Sequence, residues 1–129
     1  MTPSVSLSFD RTERLKSRKV IGALFKGGQS YVAYPLRVVW VPLGDETATE
    51  HPAQVAISVS KRAFKTAVAR NRIKRQIREA YRLHKHEFYH KLAAADHRIA
   101  LMLMYVGKEM LPFADIEKGV RKVVSKWPG

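Results

Sequence analysis

Between Ala67 and Arg82 the chain reads AVARNRIKRQIREAYR, in which Arg70, Arg72, Lys74, Arg75, Arg78 and Arg82 face a single acid, Glu79. No other stretch restricts the fold as much. Wound at about 100° per residue, the segment from Ala67 to Lys85 gathers Ala69, Ile73, Ile77, Ala80 and His84 into one stripe, bordered by Tyr81 and Gln76. A helix with one narrow apolar stripe cannot be buried all round, so it must lie on another layer. Its small residues and two isoleucines suit close packing on a sheet. Asn71, Lys74, Arg75, Arg78, Arg82 and Lys85 fall on the opposite side. They form a cationic ridge about 16 Å long from Asn71 to Arg82 at about 1.5 Å rise per residue, with Arg70 and Arg72 on its edges.

The flanking segments supply the layer. QSYVAYPLRVVWVPL, from Gln29 to Leu43, is rich in β-branched and aromatic residues and predicts one or two strands, with Pro35 marking a break or an edge. GDETATEHP, from Gly44 to Pro52, is acidic and turn-forming, and QVAISVS, from Gln54 to Ser60, alternates beyond it, so a hairpin is expected across that loop. RIALMLMYV, ending at Val106, predicts a buried strand after a polar stretch that runs to His97. Helical spacing links Leu15, Val20, Ile21, Leu24 and Phe25 before Gly27 and Gly28 stop the pattern. It returns in Phe113, Ile116, Val120, Val123, Val124 and Trp127. The expected order is helix, two or three strands, helix, strand, helix. No repeat or linker divides the chain, so residues 1–129 are read as one domain.

Charge narrows the partner. The chain carries 24 Lys+Arg against 11 Asp+Glu, a formal +13, and such a field draws polyanions. Ten of those cations lie among the 25 residues from Lys61 to Lys85. A solvated face normally mixes signs, because each repelling i,i+4 pair costs roughly 0.2–0.5 kcal/mol. Here arginine outnumbers lysine on the helix, and its planar fork suits bidentate phosphate contacts. A membrane surface or an acidic protein would want a bulky apolar face on such a helix, which this one lacks. With no cysteine, disulfides and thiolate metal sites are excluded. The N-terminal residues show no secretory pattern, and the apolar run Ile99–Val106 is too short to cross a bilayer as a helix. A cytoplasmic protein without membrane or DNA partners is expected.

Catalytic residues are not evident. His84, His86 and His90 include an i,i+4 pair but no HExxH frame and no third ligand at a telling spacing, so surface histidines at a helix end are expected rather than a metal site. No Ser/His/Asp grouping or Gly-rich phosphate loop occurs, and Asp45, Glu46 and Glu50 sit in the acidic loop, where solubility explains them.

SVSKRAFKTAVARNRIKRQIREAYR, from Ser58 to Arg82, resembles the signature of the protein subunit of bacterial ribonuclease P, and RLKSRKVIGALFKGGQS resembles that family's opening. The resemblance implies an α+β fold, a two-layer α/β sandwich of order αβββαβα similar to a ribosomal-protein domain. It also implies a four-stranded sheet with a left-handed βαβ crossover, against the right-handed rule for such units. It implies a ribonucleoprotein endonuclease in which the RNA subunit, with magnesium, removes the 5′ leader of precursor tRNA, while the protein binds no cofactor of its own and is not active alone. Carried onto this chain, the surface for the catalytic RNA is Lys61, Arg62, Arg70, Asn71, Arg72, Lys74, Arg75 and Arg78. Asn71 would either bond a nucleotide or fix the helix start. The family's leader-cleft positions fall on Ile21, Phe25 and Val39, of which Phe25 alone is aromatic; Tyr31, Tyr34 or Trp40 could compensate, Trp40 being more often core than platform. A basic RNA-binding or ribosome-associated protein with no enzymatic association is the alternative.

Overall fold

The computed structural model describes residues 13–43 and 51–127. In chain order it contains α1 (Arg18–Gly27), β1 (Gln29–Ala33), β2 (Leu36–Pro42), β3 (Ala53–Val59), α2 (Ala67–Ala94), β4 (Ile99–Tyr105) and α3 (Phe113–Ser125), the expected αβββαβα order. The strands form one mixed sheet in the order β1-β2-β4-β3. β2 runs antiparallel to both β1 and β4, with Tyr31 opposite Val38 and Val38 opposite Leu103. β3 runs parallel to β4, with Val55 opposite Leu101, and α2 is the connection between them.

The hairpin expected across Gly44–Pro52 is not formed, because β4 lies between β2 and β3. The reason is burial. Ile99, Ala100, Leu101, Met102 and Leu103 are consecutive buried apolar residues, and a strand covered on both faces belongs at the centre of a sheet. β3 is displaced to the edge. The hairpin that does form joins β1 to β2 through Tyr34 and Pro35, whose peptide bond is cis, so Pro35 marks the expected break. Residues 44–50 of the acidic loop, with Asp45, Glu46 and Glu50, lie outside the described residues.

Strand alternation sorts the two faces. Leu36, Val38, Trp40, Val55, Val59, Ile99, Leu101, Leu103 and Tyr105 meet the apolar sides of α2 and α3. Trp40 packs against Trp127 with ring centroids 4.6 Å apart and the rings tilted, and Trp127 also meets Phe88 edge-on at 5.3 Å, so Trp40 is core. On the other face, Val39, Val41, Ala56, Ala100, Met102 and Met104 pack with Leu15, Val20, Ile21 and Leu24. The sandwich of sheet and α2/α3 is thus complemented on its far side by the short α1. Each fully buried Leu or Ile in these clusters contributes roughly 1.5–3 kcal/mol relative to exposure.

Two helix boundaries differ from the sequence expectation. α1 starts at Arg18, where the Ser17 hydroxyl accepts the Val20 N–H at 3.3 Å; Leu15 precedes the helix in a segment whose N–H donates to the Val55 carbonyl at 2.9 Å, along the outer edge of β3. α2 starts behind Thr66, whose hydroxyl accepts the Ala69 N–H at 3.2 Å, and it continues to Ala94. The polar stretch after Lys85 is therefore helical. Phe88 and Leu92 extend the buried stripe through it, hidden in the sequence by the charged residues between them. At the exit of α1, a Cβ on Gly28 would lie 2.6 Å from the Leu24 carbonyl oxygen and 2.8 Å from a Val39 methyl, so glycine permits the close approach of α1 to β2.

Candidate nucleic-acid interface

The approach to α2 is a built turn. The Ser60 hydroxyl accepts the N–H groups of Arg62 (3.1 Å) and Ala63 (3.3 Å), and Phe64 is buried against Tyr105 at 5.7 Å between ring centroids. Lys61 and Arg62 are left exposed. One guanidinium nitrogen of Arg70 donates to the Phe64 carbonyl at 2.8 Å, fastening the first turn of α2 to this approach. Because Thr66 caps the helix, Asn71 is not needed to fix its start, and it stands exposed. Arg72 and Arg75 are exposed beside it.

The rest of the ridge is sorted by its neighbours. Arg82 donates to Glu79, with its Nε 2.8 Å from the carboxylate. Lys85, placed on the exposed ridge by helical winding, is instead buried. Its ammonium donates to both oxygens of Glu13, at 2.7 and 2.8 Å, inside the fold. Winding one helix cannot reveal an acid 72 residues away. Lys74 and Arg78 are half-buried. Together with Arg14, Leu15, Lys16, Val55, Ala56 and Ile57 they line a cavity of about 280 Å³ at the β3 edge. Arg78 also lines a second hollow of about 270 Å³ with Arg75, Glu79 and Arg82. The cations thus surround relief into which a backbone phosphate could settle.

A separate cleft lies on the α1 side of the sheet. Leu24, Phe25, Gly28, Ser30, Arg37, Val39 and Met104 line a hollow of about 250 Å³, and Phe25 is 64% exposed at its rim. Phe25 and Val39 are therefore brought together. Ile21 is not part of the wall; it packs half-buried behind it, with Leu24 and Val39. Trp40 and Tyr31 face the other side of the sheet, where the Tyr31 hydroxyl donates to the Val123 carbonyl at 2.8 Å, and Tyr34 is exposed at the β1–β2 turn. None of the three lines the cleft. Arg37 and Met104 were missed by the sequence reading. Alternation places Arg37 on the same face as Val39, which is the signal that could have found it.

The histidines do not sit at a helix end, since α2 runs past them. His84 lies 3.0 Å from a Glu117 oxygen, and burial, with the Lys85 charge next, lowers the His86 pKa. Burial likewise raises the Tyr81 and Tyr89 phenols far above their ordinary range. Among the described residues no three His, Asp or Glu side chains converge as a metal-binding group, and no helix is long and apolar enough to cross a membrane.

Fold and surface together define a small basic α/β sandwich with a cationic helix on one side and a shallow apolar cleft, rimmed by one exposed ring, on the other. The comparisons with known proteins are specific. The family model described as Ribonuclease P matches residues 9–127. The ribonuclease P protein component of Porphyromonas gingivalis is 36% identical over 129 residues, covering 100% of this chain and 93% of its own. The solved RNase P protein of Thermotoga maritima superposes with a TM-score of 0.70 at 20% identity, covering 91% of this chain and 99% of that one. That of Staphylococcus aureus gives 0.68 at 24% identity, covering 90% and 95%. The chain belongs to the ribonuclease P protein family. It is the protein part of a ribonucleoprotein endoribonuclease of tRNA processing, with a ribonuclease P RNA as partner.

Proposed function

We propose that residues 1–129 act as one cytoplasmic RNA-binding domain that grips the catalytic RNA through Lys61, Arg62, Arg70, Asn71, Arg72, Lys74, Arg75 and Arg78. In this reading the cleft at Phe25 and Val39, backed by Ile21, receives the single-stranded 5′ leader of precursor tRNA. The observation that carries it is the exposure of Lys61, Arg62, Arg72 and Arg75, while Glu79, the acid of α2 nearest to them in sequence, is engaged by Arg82. Positive potential there lowers the repulsion between two RNAs, and the cleft adds affinity for substrates that carry a leader. Stacking one base on Phe25 contributes roughly 1–3 kcal/mol. Hydrolysis belongs to the RNA subunit. In this reading magnesium is held by RNA oxygens, and no step is assigned to the protein through it.

Reconstitution tests this reading. Purified protein should leave precursor tRNA intact, and adding the matching ribonuclease P RNA at low magnesium should yield 5′-matured tRNA faster than the RNA alone. No stimulation would overturn the assisting role, and cleavage without RNA would overturn the assignment of chemistry to the RNA.

A further inference from the structure

We infer that Glu13 is a positioning residue for RNA binding: its buried ion pair with Lys85 holds the Arg14–Lys16 segment beside α2 and completes the cationic lining that Lys74 and Arg78 begin. The inference rests on the RNA-binding reading above.

Glu13 is 0% and Lys85 2% exposed. The Lys85 ammonium donates to both Glu13 oxygens, the Tyr89 hydroxyl donates to one of them at 2.6 Å, and the Tyr81 hydroxyl donates to Tyr89 at 3.0 Å. Lys85, Tyr89 and Tyr81 all belong to α2, so this carboxylate fastens the segment around residue 13 to the middle of that helix. A buried ion pair gains little net stability over well-packed apolar groups, but it penalises any arrangement that separates its members. The arrangement fixed here bears on the site. Immediately after Glu13, Arg14 bridges to Val55 and the Leu15 N–H bonds to the Val55 carbonyl at 2.9 Å. Leu15 is buried on the α1 side. The segment thus passes from α2 over the β3 edge to the opposite face, and on the way it brings Arg14 and Lys16 to the cavity that Lys74 and Arg78 also line. It forms no sheet strand of its own, and the ion pair, the Leu15 backbone bond and the buried Leu15 side chain help to fix its place.

Simple electrostatics predicts the reverse of this proposal. Glu13→Gln raises the formal charge by one above +13 and should strengthen binding to any polyanion if charge alone matters. If Glu13 positions the segment, the same substitution should weaken binding of the full chain to ribonuclease P RNA about tenfold. It should also speed amide exchange at Leu15 while the central β4 amides stay protected, which separates release of the segment from global unfolding. The double variant Glu13→Gln/Lys85→Met removes the uncompensated ammonium without restoring the pair, so global stability should recover while RNA affinity stays reduced and Leu15 exchange stays fast. In the Glu13→Gln background, further substitution of Arg14 and Lys16 by alanine should add little, although in the wild type it weakens binding. Unchanged Leu15 exchange, or faster exchange with unchanged or tighter RNA binding, would overturn the inference. A wild-type affinity indifferent to Arg72→Ala/Arg75→Ala would instead overturn the RNA-binding reading, and with it the affinity half of this one; Leu15 exchange would still report whether the ion pair holds the segment.

Discussion

Removing Arg72 and Arg75 together should flatten the salt dependence of binding to ribonuclease P RNA by an amount the structure fixes in advance. Each phosphate neutralised contributes about 0.7–0.9 to the slope of log K against log salt. Seven cations belong to the proposed surface: Lys61, Arg62, Arg72 and Arg75, exposed, and Arg70, Lys74 and Arg78, half-buried. If all seven touch phosphates, the slope is about −5 to −6, and Arg72→Ala/Arg75→Ala should reduce its magnitude by about 1.4–1.8. Arg82→Gln is the matched control. It removes one positive charge from the same helix, but that charge is engaged by Glu79, so the slope should move by less than about 0.3. Filter binding or fluorescence titration across a salt series measures both. A fall for Arg82→Gln as large as for either ridge arginine would show that net charge, not the sorting of cations by intramolecular partners, governs the interface, and the reasoning would fail.

Phe25→Ala should weaken precursor tRNA more than mature tRNA in competition for the holoenzyme, by about five- to tenfold, consistent with the loss of one stacked base; equal effects on both would remove the cleft from leader contact. Acid should act through His86. Burial lowers its folded pKa below the ordinary value of about 6.5, so the unfolded chain takes up the proton first, and this contribution to stability is complete above that pH and lost as pH falls through it. The urea midpoint of wild type should therefore fall relative to that of His86→Gln as pH is lowered from about 7.5 to about 5; parallel curves would refute this.

The element order was legible because each segment carries its own period: alternation in QVAISVS and helical spacing in the ridge and in α3 are local properties that survive into the fold. The central place of β4 was not legible in the same way. Strand neighbours are chosen by which faces are buried, and the run Ile99–Leu103 says that both of its faces are covered without saying which strands flank it. The length of α2 was hidden for a related reason, since Phe88 and Leu92 are separated by polar residues and gain meaning only from the core they enter. Within the candidate site, Arg72, Arg75 and Phe25 stand in the open, where a residue's exposure depends mostly on its own helix. Lys85, Arg70 and Arg82 were not sorted. Winding placed Lys85 with the ridge, but its partner comes from the other end of the described chain. Arg70 turns to a carbonyl ahead of its helix, and Arg82 turns to the acid three residues before it.

That sorting changes what the charge of this chain means. A count of ten cations between Lys61 and Lys85 suggests a uniform field, yet the fold assigns them different work. Lys85 fixes the segment at residue 13 to α2, Arg70 fastens the approach turn, and Arg82 occupies Glu79. Lys74 and Arg78 line a cavity to which Arg14 and Lys16 come from a distant part of the sequence. Repulsion among the cations that remain favours leaving them solvated until a polyanion neutralises them. Pinning their surroundings with buried pairs and capped turns keeps them in register in the meantime. Loss of a fastening residue should therefore alter geometry and specificity, whereas loss of an exposed one should alter chiefly the salt-dependent part of the affinity. Comparing Glu13→Gln with Arg72→Ala on the same RNA separates the two effects, because one adds net positive charge and the other removes it.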